Sequence, residues 1–213
     1  MNIIILGGII LRIFNPNYSL VRVLHAVPDG EVVDVYINDT LFFRDLVFRQ
    51  FSPYIYLPEG SYDMSVYSAN TRENPLISRN INVDKNKLIT IAMVGNAGTL
   101  RLLNIEEGIE IPTKGKSKTR VVNLVPNSPD MNILYNDTVL FEHNDFRDIT
   151  DYKEIDPGIY RIDLELVENG KIVRTTRVNI NPDRIYSLYL LGNAANIEIF
   201  QSLDGASFIR YRI

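Results

Sequence analysis

Cysteine and tryptophan are missing from this 213-residue chain, and histidine occurs only twice. Without cysteine there is no disulfide framework, no thiolate metal site and no cysteine nucleophile in any compartment. Without tryptophan the strongest sugar-stacking side chain is absent. His25 and His143 lie far apart in the chain, so no local histidine pair or histidine–carboxylate motif of a transition-metal site can be assembled. A basic excess is also lacking. Lys and Arg number 22 against 26 Asp and Glu, a net charge of −4 with pI near 5.3, which argues against nucleic acid as a partner. No apolar run reaches the roughly 20 residues of a membrane-crossing helix. "LGGII" at 6–10 lacks the third glycine and the following helix of a phosphate loop. No metal and no cofactor is expected.

What is present is a duplication. "YINDTLFF" at 36–43 returns as "LYNDTVLF" at 134–141, offset by 98 residues. At that offset thirteen positions coincide between Val21 and Val66, among them Arg22/Arg120, Pro28/Pro126, Asn38/Asn136, Phe48/Phe146, Arg49/Arg147, Tyr54/Tyr152 and Tyr62/Tyr160. With one residue dropped the register continues, and "GNAG" at 95–98 meets "GNAA" at 192–195. The expected organisation is an N-terminal apolar strand and hinge at 1–18, a first copy at 19–108, a linker at 109–117 and a second copy with a C-terminal strand at 118–213. The linker "EEGIEIPTKGKSK" is charged and broken by Gly and Pro.

Each copy reads as strands. In "YRIDLEL", Tyr160, Ile162, Leu164 and Leu166 alternate with Arg161, Asp163 and Glu165, the period of two that sends one face to a core and one to water. Tyr62, Met64 and Val66 do the same in the first copy. The Asn-Asp pairs at 38–39 and 136–137 predict two-residue hairpins, because both residues tolerate the positive φ of a type I′ turn. No window holds a 3.6-residue period for three turns. The fold class expected is all-β: two tandem antiparallel, immunoglobulin-like β-sandwiches of seven or eight short strands each.

"VRVLHAVPDGEVVDVYIND" at 21–39, through Arg22, His25, Pro28, Asp29, Asp34, Val35, Tyr36 and Asn38, together with "LPEGSY" at 57–62, resembles the bacterial domain of unknown function 4397. The resemblance implies a β-sandwich fold, tandem copies, no established activity and a cell-envelope setting. In the second copy Asn123, Asn127 and Asn132 stand where the first has His25, Asp29 and Asp34. Each change swaps an ionisable group for an amide of similar reach. A catalytic or metal role for that trio would therefore be lost from the second copy. A structural polar cluster of His25, Asp29 and Asp34, tying turns to strands, survives such a change.

No catalytic residue is singled out. His25 is the one candidate base in a motif, and Val23 and Val27 share its strand face. Asp29, Glu31 and Asp34 could offer oxygens to calcium, but no Asp-x-Asp-x-Asp-Gly loop accompanies them. Asn38 and Asn136 open glycosylation sequons that their hairpin position explains without sugar. Twelve tyrosines and nine phenylalanines could build a carbohydrate platform, although strand packing is their ordinary use.

The leader "MNIIILGGIILRIF" lies outside the repeat. Its apolar residues Ile3, Ile4, Ile5, Leu6, Ile9, Ile10, Leu11, Ile13 and Phe14 are too few for a membrane helix. It makes a poor signal peptide, with no basic residue before the run and no small-x-small site after it. Isoleucine-rich and glycine-interrupted, it reads as a strand that must be covered, either by its own sandwich or by a neighbouring subunit through donor-strand exchange. Head-to-tail exchange would build a fibre or layer. The functional expectation is a non-catalytic structural or adhesive protein of a bacterial cell or spore surface that self-assembles through this strand, with itself as partner. The alternative is a glycan- or protein-binding module of the envelope.

Overall fold

The computed structural model describes residues 3–6, 9–12, 17–96 and 98–209, and the side chains of 17–96 and 98–207 among them. The chain divides into two compact units at Glu107/Gly108, the second being Gly108–Ser207.

Ahead of the first sandwich, β1 (Ile3–Leu6) and β2 (Ile9–Arg12) form a two-stranded antiparallel sheet of their own, with Ile3 opposite Arg12 and Leu6 opposite Ile9. Where a single strand was expected, the described residues thus form two paired strands. Among the described residues β1 and β2 are hydrogen-bonded to one another as a separate sheet. Ile13 and Phe14 lie outside the described residues.

The first unit contains β3 (Tyr18–His25), β4 (Val33–Ile37), β5 (Thr40–Leu46), β6 (Ile55–Pro58), β7 (Gly60–Ser68), β8 (Ile77–Val83), β9 (Leu88–Val94) and β10 (Arg101–Glu106). They make two four-stranded sheets, β10-β9-β3-β6 and β5-β4-β7-β8. Val21, Val23, Ile89 and Ile91 from one sheet meet Val35, Met64 and Val66 from the other in a continuous core. The second unit repeats this with β11 (Ser117–Asn123), β12 (Met131–Tyr135), β13 (Thr138–Asn144), β14 (Lys153–Ile155), β15 (Gly158–Leu166), β16 (Ile172–Ile180), β17 (Ile185–Asn193) and β18 (Asn196–Leu203), in sheets β14-β11-β17-β18 and β13-β12-β15-β16. Its core gathers Val121, Leu188, Ile133, Ile162 and Leu164.

One pairing in each unit departs from the all-antiparallel expectation. β3 runs parallel to β9, and β11 parallel to β17. These four strands are buried nearly from end to end, the burial typical of parallel strands covered on both faces, and this is why "VRVLHAV" and "KLITIAMV" read as apolar runs without alternation. At the tail, Ala206–Ile209 form a short helix, α1, where an edge strand was expected; the Ser207 hydroxyl accepts from Ile185 N at 2.9 Å and its backbone N–H donates to Asp204 O, local bonds that a strand would forgo. Arg210–Ile213 lie outside the described residues.

The repeated words mark backbone that few sequences adopt. Asn38 and Asp39 have φ of 46° and 62°, and Asn136 and Asp137 of 48° and 68°, the two consecutive positive values of a type I′ hairpin. The sequon amides are engaged here: Asn38 Oδ1 accepts from Asp63 N at 2.9 Å and Asn136 Oδ1 from Arg161 N at 2.8 Å. The stretch expected as a linker is irregular up to Ser117 and bound to the second unit, with Thr113 N donating to Glu154 Oε2 at 2.8 Å and Gly115 N to Asp183 Oδ1 at 2.7 Å.

Candidate functional site

The trio His25, Asp29 and Asp34 is not one cluster. His25 closes β3 and is buried. Its Nδ1 accepts from Val27 N at 3.3 Å while Nε2 meets Glu31 O at 2.9 Å, so a neutral ring serves the turn at both nitrogens. Burial pushes the imidazole below its ordinary pKa, and the Glu31 carbonyl only partly offsets this. Asp34 belongs to another turn system, accepting from Asp45 N at 2.9 Å and Asn70 N at 3.1 Å. Asp29 is exposed. Asn123 and Asn132 take over the two structural tasks in the second unit: Val125 N donates to Asn123 Oδ1 at 3.0 Å, and His143 N to Asn132 Oδ1 at 3.3 Å.

His25 also explains a glycine. A Cβ on Gly30 would come within 2.7 Å of the His25 ring; the second unit has the smaller Asn123 with Ser128 at that place, joined Nδ2 to Oγ at 3.0 Å. Gly30→Ser alone should therefore destabilise the first domain, and combining it with His25→Asn should restore most of the loss. The same double variant isolates a proton. Because the folded pKa of His25 is depressed, protonation below about pH 6.5 favours the unfolded chain. Stability is present above that pH and lost as pH falls, by no more than about 1.4 kcal/mol per pH unit for one proton. His143, raised by the Asp130 carboxylate at its Nδ1, works in the opposite sense, so the checking measurement is the difference between wild-type and double-variant urea midpoints from pH 7 to pH 5. No difference in slope would assign the His25 titration no role.

A second polar group, not anticipated from the sequence, is buried in each unit. In the first, Arg22 Nη2 lies 3.0 Å from Glu107 Oε1 and Arg22 Nε donates to Thr90 Oγ1 at 2.8 Å. Thr90 Oγ1 and Tyr54 OH donate to Glu107 at 2.5 Å and 2.7–2.8 Å, and the Arg22 guanidinium lies 4.1 Å and 4.7 Å from the Phe51 and Tyr54 ring centroids. In the second, Arg120 Nε donates to Ser187 Oγ at 2.8 Å, Ser187 Oγ to Asp204 Oδ2 at 3.0 Å, Tyr152 OH to the same oxygen, and Arg120 lies over the Tyr152 ring. Burial, then the Asp204 charge, pushes the Tyr152 hydroxyl well above the usual tyrosine range, which leaves it a donor. Arg22/Arg120 and Tyr54/Tyr152 were visible as identities. Their carboxylates, Glu107 and Asp204, differ in type and fall beyond the one-residue deletion. In both knots the arginine and the carboxylate are buried, each within its own unit.

The accessible chemistry lies on the outward faces of β5-β4-β7-β8 and β13-β12-β15-β16. In the first unit the inward positions of β7 are Met64 and Val66, which places Ser61, Asp63, Ser65 and Tyr67 outward, opposite Asn82, Asn80 and Ser78 of β8 and Asp34 of β4. Ser61 Oγ reaches Asn82 Oδ1 at 2.9 Å, Asn80 Nδ2 donates to Asp63 Oδ1 at 3.0 Å, and Ser65 and Ser78 share a bond of 2.8 Å. Beside this ladder Tyr36 and Tyr67 meet edge to face at 5.4 Å, with the Arg72 guanidinium 4.4 Å over Tyr36 and bonded to Asp39 at the hairpin tip. In the second unit the equivalent outward pairs are Ile159/Asn179, Arg161/Arg177 and Asp163/Thr175. One face is mainly hydroxyl, amide and aromatic; the other is mainly charged. Among the described residues no group of three or more His, Asp or Glu is gathered at metal-binding range, and no helix is long and apolar enough to cross a membrane.

Fold and site define the chain as a tandem β-sandwich protein, duplicated in its core and in its buried arginine knots but not in its outward faces. The family model described as "Domain of unknown function (DUF4397)" matches residues 19–129 and 117–207. The chain belongs to that family, in tandem copies. No curated protein matches it. Two solved structures are similar over most of their length. One is a family 26 carbohydrate-binding module from Eubacterium rectale in complex with maltoheptaose, 8% identical, covering 89% of this chain and 99% of that one at a TM-score of 0.29. The other is a streptococcal virulence factor described as binding alpha-glucan, 11% identical, covering 86% of this chain and 96% of that one at a TM-score of 0.28.

Proposed function

We propose that this protein is a non-catalytic binding module of a bacterial cell or spore surface, and that the outward face of β5-β4-β7-β8 holds a neutral glycan. The ladder Ser61/Asn82, Asp63/Asn80 and Ser65/Ser78 beside Tyr67 carries the reading. A sugar ring presents hydroxyls that both donate and accept around its rim and C–H bonds on its faces. Serine hydroxyls and asparagine amides have both roles and keep spare capacity after bonding one another, and a tyrosine offers the C–H faces an aromatic surface. Rigid strands hold these groups in a near plane, which lowers the ordering cost of binding. The non-catalytic part rests on His25, whose two ring nitrogens are committed to backbone groups.

Calorimetry with soluble neutral polysaccharides chosen from a glycan array tests this. Tyr67→Ala and Asn80→Ala should each weaken binding by about tenfold, or about 1.4 kcal/mol, with both variants folded by circular dichroism. Wild-type affinity in both variants, or a full chain that binds no neutral glycan on the array, would overturn it.

A further inference from the structure

The second unit has the same strands and register, yet its outward face is rewritten at the positions that would contact a ligand. Where the first unit sets Asp63 against Asn80 in a hydrogen bond, the second sets Arg161 directly against Arg177. Two like charges at opposed strand positions repel at close quarters, because such side chains start about 5 Å apart. Arg161 is fixed: its Nε donates to Asp163 Oδ2 at 2.8 Å and an Nη bonds Asp137 at the hairpin tip. Asp163 is fixed in turn by Thr175 Oγ1 at 2.6 Å. Burial raises the Asp163 carboxyl, but the bonds from Thr175 and Arg161 outweigh it and hold the group ionised below the ordinary range. Two carboxylates thus orient one guanidinium, while Arg177 across from it is exposed and has no ion pair or hydrogen bond from its side chain among the described residues.

We propose that this cross-strand arginine pair is an anion site, taking a carboxylate, sulfate or phosphate group carried on a polymer. Asp163 and Asp137 already offset the Arg161 charge, so an oxyanion seated over the pair would be drawn mainly by Arg177 and held by the fork geometry of guanidinium donors. The neighbouring outward pair supplies the rest of the contact. Asn179 offers an amide, and Ile159, opposite it, is 70% exposed, the most exposed of the large apolar side chains among the described residues. That apolar step beside the cations suits an anionic group attached to a larger scaffold rather than a free ion. With the whole chain at −4, general basicity does not account for such binding.

Titration of the full chain with dextran sulfate, at low and at moderate salt, is the test, with uncharged dextran of the same length as reference. Dextran sulfate should bind, inorganic sulfate should compete at high concentration, and Arg177→Gln should lower affinity at least tenfold while Lys85→Gln, which removes an exposed cation of the first unit, leaves it unchanged. Arg177 is on the exposed edge strand β16, so its variant should fold. Equal affinity for dextran sulfate in Arg177→Gln and wild type, or no binding by wild type, would overturn the assignment. Loss in Lys85→Gln with retention in Arg177→Gln would place anionic polymers on the first unit and also overturn it.

Discussion

Glu107→Ala is expected to lower the stability of the first domain by about 3–5 kcal/mol, the range for removing one partner of a buried ion pair. The Glu107 side chain is 0% exposed and that of Arg22 is 6% exposed. Loss of the carboxylate would leave the guanidinium in a place where water cannot replace it, and would also strip Tyr54 and Thr90 of their acceptor. Glu107→Gln keeps one accepting oxygen for those donors while it loses the charge and the second acceptor, so its cost should be smaller, about 1.5–3 kcal/mol for a charged hydrogen bond weakened. The second domain provides an internal comparison. Asp204 is one methylene shorter than Glu107, and its Oδ2 lies 4.0 Å from Arg120 Nη2, where Glu107 Oε1 lies 3.0 Å from Arg22 Nη2. Ser187 and Tyr152 both donate to Asp204 Oδ2 there. Urea unfolding followed by domain-specific probes checks the result: Glu107→Ala should move the first transition and leave the second in place. A shift below about 1 kcal/mol would show that the pair's attraction is cancelled by desolvation.

How much of this molecule its sequence disclosed depends on how local the cause is. The hairpins at Asn38-Asp39 and Asn136-Asp137 were legible because two adjacent positive φ values are a demand that few residue pairs meet. Alternation in "YRIDLEL" was legible because one face meets the core and the other does not. The parallel pairing of β3 with β9 joins residues about 68 positions apart, as with Arg22 and Thr90, and nothing local encodes it. For the same reason the arginine knots were half seen: the repeat displayed Arg22 and Tyr54, but the partner at Glu107 arrives through a strand placed by packing. The outward faces were printed in full, as Ser61, Asp63 and Ser65 against Ile159, Arg161 and Asp163. Only the register turns those letters into opposed pairs.

The repeated "GNA" gives the other large effect. Gly192→Ala is expected to destabilise the second domain by about 2–6 kcal/mol, from backbone strain of about 1–3 kcal/mol and steric overpacking of about 1–3 kcal/mol. Gly192 has φ of 102°, and a Cβ there would stand 2.3 Å from the Asn196 carbonyl oxygen; Gly95 has φ of 106° and would meet Thr99 O at 2.5 Å. In both units the obstacle is the carbonyl four residues on, which is main chain and cannot swing aside as a side chain tip would. Moving it in the second unit would break the β17–β18 ladder, where Gly192 faces Ile197 and Asn193 faces Asn196. Gly170→Ala separates strain from collision, since φ is 70° there but nothing lies within 4 Å of the added carbon; it should cost only about 1–2 kcal/mol. Urea midpoints for the three variants read the contrast: Gly192→Ala should shift the second transition, Gly95→Ala the first, and Gly170→Ala should fall well short of Gly192→Ala. Equal costs at Gly170 and Gly192 would mean that the turn relaxes away from the carbonyl, and that the glycines of the repeat answer to φ alone.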